Sequence, residues 1–270
     1  VSKIKLSYTS ISEYNYCPQM FKFKRVWNVQ PFGGSTTLTR GNIFHEIVQR
    51  AADPSGLNNS HKLNDLVKIL DDGWRITQFL DSTKAEQKQA KKDIKKMLGV
   101  YQKWTDSNPN TVIGTEIEFV MTEKTTGKII KGKIDRVEKT PQGDYHVIDY
   151  KTGNPSDDSM KKKGPLRDNV QMNLYCAAVL LGLQDDSGKV IVKPGKLPKK
   201  AIQFYPEREG QQLFVYDVTG AQNNKVMAEI MQTMQKIDNM KFTATPGDPC
   251  RWCDYNKTCD DVDVNAFVKR

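Results

Sequence analysis

The chain has 270 residues, enough for one large domain or two small ones, and 41 Lys and Arg against 32 Asp and Glu leave a net charge of +9. That excess suits a polyanionic partner such as nucleic acid, or an acidic membrane face, and carries no information about fold. No apolar run approaches the roughly 20 residues that span a bilayer, and the first residues, VSKIKLSYTS, lack the apolar stretch of a secretion signal. A cytoplasmic, reducing setting is the expectation, in which five cysteines suit a metal site better than disulfides.

In chain order, Ser10-Ile-Ser-Glu13 reads as a capping box, which predicts a helix starting near Ser10. Pro18 should kink that helix or begin a second one. After a Gly-rich loop at Pro31–Ser35, Gly41-Asn-Ile-Phe-His45 opens a helix with Ile43, Ile47 and Val48 available for burial. Residues 51–110 read as a helical insertion with Leu66, Ile69, Leu70 and Trp74 as its apolar stripe. Lys88, Lys91, Lys92, Lys95 and Lys96 form a lysine face, read as solvated in preference to DNA-binding.

From residue 111 the pattern changes. Segments 112–121, 128–139 and 145–151 carry β-branched, alternating strand patterns, with a turn at Pro141–Asp144. Residues 169–182 read as helix, 189–200 as a basic loop, 201–205 and 213–218 as strands, and 221–239 as helix. The tail from 243 is rich in Pro and Cys. The fold class predicted is α/β: one domain over 1–270, with its core at about 111–220 and a cysteine-bearing segment at about 243–270.

Folding residues 131–151 about that turn pairs positions whose numbers sum to 284 or 285, setting Asp135 opposite Asp149. Asp149 and Lys151, two apart on a strand, share a face. Two carboxylates among apolar neighbours repel unless a cation lies between them, and hard oxygen ligands favour Mg²⁺ or Mn²⁺. Spacing alone leaves open an ordinary Asp–Lys ion pair with Asp135 solvated, and a one-residue slip would turn one acid to the other face.

Gly132-Lys-Ile-Asp135 followed by Asp149-Tyr-Lys151-Thr-Gly resembles the core of the PD-(D/E)xK nuclease superfamily in its RecB-type branch. That resemblance extends in order over residues 8–259. His45 matches the upstream histidine that serves as a further metal ligand, Gln171-Met-Asn-Leu-Tyr175 matches the QxxxY motif, and Glu116 lies in a Glu-x-x-Phe strand pattern before the core. It implies a restriction-endonuclease-like mixed sheet flanked by helices. Asp135, Asp149 and Lys151 would be catalytic, with His45, Asp135 and Asp149 on Mg²⁺ or Mn²⁺. Gln171 and Tyr175 would contact substrate, with Glu116 either supporting a ligand or merely exposed. Read without the family, His45 is a lone helical histidine, and Gln171 and Tyr175 are a surface amide and a half-buried ring on one helical face.

Cys250-x₂-Cys253-x₅-Cys259 reads as part of a Cys₄ zinc site or a [4Fe–4S] cluster. With Cys17 the four resemble the iron–sulfur subgroup of RecB-type nucleases, which includes the AddB nuclease domain and the CRISPR-adaptation exonucleases. That favours iron–sulfur over zinc and implies a clasp closing the tail onto Cys17, with Cys176 as a spare packed thiol. The expected function is a metal-dependent deoxyribonuclease of recombination or repair acting on single-stranded or frayed ends, with a lean to 5′→3′ exonuclease. Tyr8, Tyr14, Phe21, Trp27 and Trp252 are available for base stacking. Without a P-loop, any helicase motor would be a separate partner. The alternatives are a non-catalytic DNA-end or partner-binding subunit and a zinc-clasped nuclease.

Overall fold

The computed structural model describes residues 6–30, 36–54, 60–74, 82–122, 127–185 and 187–263, the side chains of 36–38 excepted; the Gly-rich loop at 31–35 lies outside them. The chain divides into two compact units. One holds residues 1–33, 120–132 and 224–270, the other 34–119 and 133–223.

In the first unit, α1 (Tyr8–Tyr16) starts two residues earlier than expected. Ser7, not Ser10, is its N-cap: the Ser10 N–H donates to Ser7 Oγ at 3.2 Å, and the Ser7 N–H donates to Ser10 Oγ at 2.7 Å. A serine thus stands where the capping box usually has Glu, and Glu13 instead accepts from Arg25 at 2.7 Å. Pro18 starts α2 (Pro18–Phe21), where its missing N–H costs nothing, and a π-turn (Lys22–Val26) follows. Tyr14, Phe21 and Phe242 pack edge-on and stacked with centroids 5.5–6.3 Å apart. Two of the five aromatics considered for base stacking, Tyr14 and Phe21, are therefore core. Trp27 and Trp252 are exposed, at 54% and 78%. The described tail contains α9 (Asp248–Arg251), a single turn.

The second unit carries α3 (Thr36–Ala52), α4 (Leu63–Trp74) and α5 (Lys84–Ser107), so the stretch read as mostly helical between 51 and 110 holds helices. Phe44, Ile47, Val48, Leu66, Leu70, Ile94 and Tyr101 from these helices bury against Ile148, Tyr150, Ile202 and Phe204 of the sheet. Thr83 and Glu86 form a full capping box at the start of α5. Lys91 and Lys95 of the lysine face pair with Asp71 at 2.8 and 3.4 Å, as partly solvated surface ion pairs.

The strands are β1 (Thr111–Thr122), β2 (Ile129–Lys139), β3 (Tyr145–Tyr150), β4 (Leu183–Gln184), β5 (Val190–Val192), β6 (Lys200–Phe204) and β7 (Leu213–Asp217). Five form a sheet in the order β1-β2-β3-β6-β7. β2 and β3 pair antiparallel, as do β6 and β7, whereas β3 and β6 are parallel. A parallel pair needs a long crossover. Here it contains α6 (Asp157–Lys162), a 3₁₀ turn and α7 (Val170–Leu181), and α8 (Gly220–Asp238) follows β7. The mixed sheet with helices is the α/β architecture predicted. The β4–β5 ribbon was not: residues 190–192 fall in the stretch read as a basic loop.

The β2–β3 register sums to 284, from Arg136–Ile148 to Lys139–Tyr145. The turn sets it: Thr140 N–H donates to the Asp144 carbonyl at 2.8 Å, and Gly143 takes a positive φ of 82° that a side chain would resist.

Candidate metal centre

Just past the last β2–β3 ladder pair, the same register brings Asp135 alongside Asp149. The Asp135 carboxylate accepts the Tyr150 N–H at 2.8 Å, which fixes its orientation. His45 reaches it from α3, with Nδ1 at 3.6 Å from Asp135 Oδ2. His45 Nε2 lies 3.1 Å from the Tyr150 carbonyl. A carbonyl can only accept, so Nε2 carries the hydrogen and Nδ1 keeps its lone pair toward the acid. A backbone-anchored imidazole of this kind is a common arrangement for metal ligands.

Glu116 completes the group: one ligand atom each from His45, Glu116 and Asp135 lie within 4.8 Å of one another. Its approach depends on the backbone of β1. Buried positions run 117, 119, 121 beyond Glu116 but include Gly114 before it, so the alternation slips by one. Glu116 sits at the slip with a φ of +49°, the signature of a bulge that re-aims a side chain. A Cβ at Gly114 would lie 2.5 Å from Ile117 Cδ1, so a side chain there would have to displace Ile117. Lys133 faces Glu116 at 3.5 Å. A cleft of about 610 Å³ opens along residues 112–118 beside Glu116.

Burial pushes the Asp135 carboxyl well above the usual carboxylate range, and the charges of Asp149 and Glu116 add to it; the Tyr150 N–H and Lys151 oppose them. Glu116 is raised by burial against the pull of Lys133. His45 is held below the ordinary histidine value, mainly by burial, and is therefore neutral at neutral pH. Two strained acids and a neutral imidazole lone pair form a donor set with a place for one hard divalent cation.

Asp149, 1% exposed, stands outside that group. Its Oδ2 accepts from Lys151 Nζ at 2.8 Å and from Gln203 Nε2 at 3.3 Å. The same ammonium donates to Gln171 Oε1 at 2.8 Å, and Gln171 Nε2 donates to the Tyr175 hydroxyl at 2.7 Å. Asp149, Lys151, Gln171 and Tyr175 thus form one hydrogen-bonded chain, with Tyr175 buried and its phenol raised well above the ordinary value chiefly by burial. Gln203, the β6 partner of Asp149, was not singled out from sequence; its place across the parallel pair was not visible until β6 was paired.

Two further residues hold the loop after Lys151. Arg40 forks onto Glu207 with two bonds of 2.8 Å and donates to the Thr152 carbonyl at 3.2 Å. Gly41 lets α3 lie against that loop, since a Cβ would come within 2.7 Å of Thr152 Oγ1. Both were silent in sequence except as the Gly of Gly41-x₃-His45.

Behind the sheet, Arg136 is 2% exposed and pairs with Glu138 at 2.6 Å, which also accepts from Asn108 and Asn110 at 2.7 and 2.9 Å. The pair supports the strand bearing Asp135 but points away from it, being one residue along.

In the other unit, Cys17, Cys250, Cys253 and Cys259 line a single cavity with Met20 and Phe23. Burial raises the Cys253 and Cys259 thiols, and the neighbouring cysteines add to the rise. Cys176 lies elsewhere, buried in α7, its thiol pushed up to about 12.

A family model described as the PD-(D/E)XK nuclease superfamily matches residues 5–260. The chain belongs to that superfamily. Its five-strand mixed sheet with flanking helices is consistent with a restriction-endonuclease-like fold, and members of the family use divalent metals. Among solved structures, the crystal structure of SSO0001 matches over 97% of this chain and 89% of that one, at 15% identity and a TM-score of 0.44. No curated protein matches. Among the described residues, no helix is long and apolar enough to cross a membrane.

Proposed function

We propose that the protein is a divalent-metal-dependent deoxyribonuclease that degrades single-stranded or frayed DNA ends, with a lean to 5′→3′ exonucleolysis. The observation that carries this is the juxtaposition of a three-residue metal group, His45, Glu116 and Asp135, with a lysine held by Asp149 and Gln171. A divalent ion at that group would polarise a phosphate oxygen and acidify a water for attack on phosphorus.

The protein's own part is geometric and electrostatic. Asp135, held above its usual pKa, is an acid that gains most from a cation. His45 presents Nδ1 because Nε2 is spent on Tyr150. Lys151 cannot wander: two acceptors fix its ammonium, leaving it placed to orient water or offset charge as a pentavalent phosphorus forms. Tyr175 locks Gln171, and the pair is read as the substrate-side support of Lys151. Asp149 remains a proposed ligand as well as an anchor, since its charge already acts on Asp135.

The tail cysteines are read as holding a [4Fe–4S] cluster. All four line one cavity, as a shared cofactor demands. That arrangement accommodates zinc as well as a cluster, and the resemblance of Cys17, Cys250, Cys253 and Cys259 to the iron–sulfur subgroup is what favours the cluster. Recombination or repair, and a separate helicase partner, are the contexts proposed.

The test is degradation of end-labelled single-stranded DNA in Mn²⁺. Wild type should cut, and Lys151→Ala should lose about 10²–10³-fold in rate, the loss expected for removing one positioned charge-stabilising group. Binding without cutting by wild type would favour the non-catalytic subunit instead.

A further inference from the structure

One more cation stands at the carboxyl end of the sheet. Lys163 caps α6, and its Nζ lies 5.9 Å from the centre of the Tyr205 ring. Tyr205 follows Phe204, whose carbonyl accepts the Lys151 backbone N–H at 2.8 Å. The β3–β6 register, Asp149 with Gln203 and Tyr150 with Phe204, runs on to set Tyr205 across from Lys151, so Lys163 stands on that side of the sheet; Lys151's charge, after burial, holds the Lys163 ammonium below its ordinary value.

The loop that carries Lys163 is fastened at both ends. Arg208, 7% exposed, pairs with Asp157 at the start of α6, lies 5.1 Å over the Phe214 ring, and donates its backbone N–H to the Tyr205 carbonyl at 3.1 Å. Beyond α6, Asn173 Nδ2 donates to the Arg167 carbonyl at 2.8 Å. Lys161, on the same turn and exposed like Lys163, differs in reaching Asp158 at 3.8 Å. Among the described residues, Lys163 has no carboxylate within ion-pair distance.

Lys163 is exposed and, among the described residues, has no acid at hand, so its charge is open to an anion that arrives on the Lys151 side of the sheet. We propose that Lys163 is a substrate-binding residue that, with Lys151, brackets a backbone phosphate of the nucleic-acid strand next to the bond being cut. This rests on the nuclease reading and adds to it a phosphate subsite outside the family motifs. A lysine meets phosphate as a point charge, so the subsite is indifferent to base sequence.

The test measures binding of a fluorescent single-stranded oligonucleotide in Ca²⁺ across a salt series, for wild type, Lys163→Ala, Lys163→Arg and Lys161→Ala. Loss of one phosphate contact should lower the slope of log affinity against log salt by about 0.7. Lys163→Ala should show that drop, with Lys163→Arg and Lys161→Ala close to wild type. In cleavage, Lys163→Ala should raise KM with kcat little changed. An unchanged slope in Lys163→Ala, or an equal drop in Lys161→Ala, would overturn the subsite. Because binding is read apart from cutting, a wild type that binds but fails to cut would count against the nuclease reading alone.

Discussion

The protein contains two candidate metal centres, and they are built in opposite ways. Around His45, Glu116 and Asp135 the donors come from α3, β1 and β2, and each is fixed by the backbone: a carbonyl for His45, an N–H for Asp135, a bulge for Glu116. The fold gathers these side chains by itself, and a cation there would relieve the repulsion between the acids. Around Cys17, Cys250, Cys253 and Cys259 the reverse holds. Three of the cysteines sit on a segment of turns with one helical turn, α9, and the described backbone–backbone hydrogen bonds within it are short-range. Such a segment has little core of its own, so a bound cluster would organise it. In the reading proposed, oxygen and imidazole donors would serve chemistry in one place, and thiols would serve structure in the other.

The sharpest way to break that contrast is Cys253→Ser. If the cluster organises the tail, thermal melting should fall by more than about 5 °C, the shift that a loss of roughly 2 kcal/mol produces in a chain of this size. Bound iron should fall with it, and Mn²⁺ affinity should stay within about twofold of wild type. An unchanged melt with no iron in the wild type would end the clasp reading.

A smaller effect separates the two sites by pH. Asp135 and Glu116 have raised pKa values, so protons compete with the ion at higher pH than they would for ordinary carboxylates. Mn²⁺ affinity should therefore weaken as pH falls through those raised values, while His45, already neutral, contributes no competition until lower pH. The stability consequence has the opposite sense. A group whose folded pKa lies above its unfolded one stabilises fully below the unfolded value, and that contribution is lost as pH rises through the folded value. Ion-free protein should lose stability on that rise, and Mn²⁺ should restore it. Calorimetric titration with a pH series of melts checks both; pH-independent Mn²⁺ binding would contradict the acid cluster.

How much of this was legible before folding depends on where each signal lives. The hairpin turn at Pro141–Asp144 brought Asp135, Asp149 and Lys151 together to within a residue of register, and the resemblance, not the spacing, chose among the alternatives left open. Gln171 and Tyr175 were paired by helical spacing. Glu116 could not be decided, because its role depends on a bulge at a non-glycine residue, an event of tertiary packing with no local marker beyond Gly114. Arg40 and Gln203 act through residues more than 50 positions away, and nothing in their neighbourhood marks them. The β4–β5 ribbon was hidden by Pro194 and Gly195, which make its flank look like loop. Ser7 displaced Ser10 as cap because two serines offer the same chemistry three residues apart.

The central claim is that the fold itself brings His45, Glu116 and Asp135 to one ion. A crystal grown in Mn²⁺, with data at the manganese absorption edge, tests it directly. We expect one anomalous peak within about 2–2.5 Å of His45 Nδ1 and of an oxygen from each acid, as in divalent sites with such donors. A peak elsewhere, or no peak with those three side chains in the positions described, would contradict it.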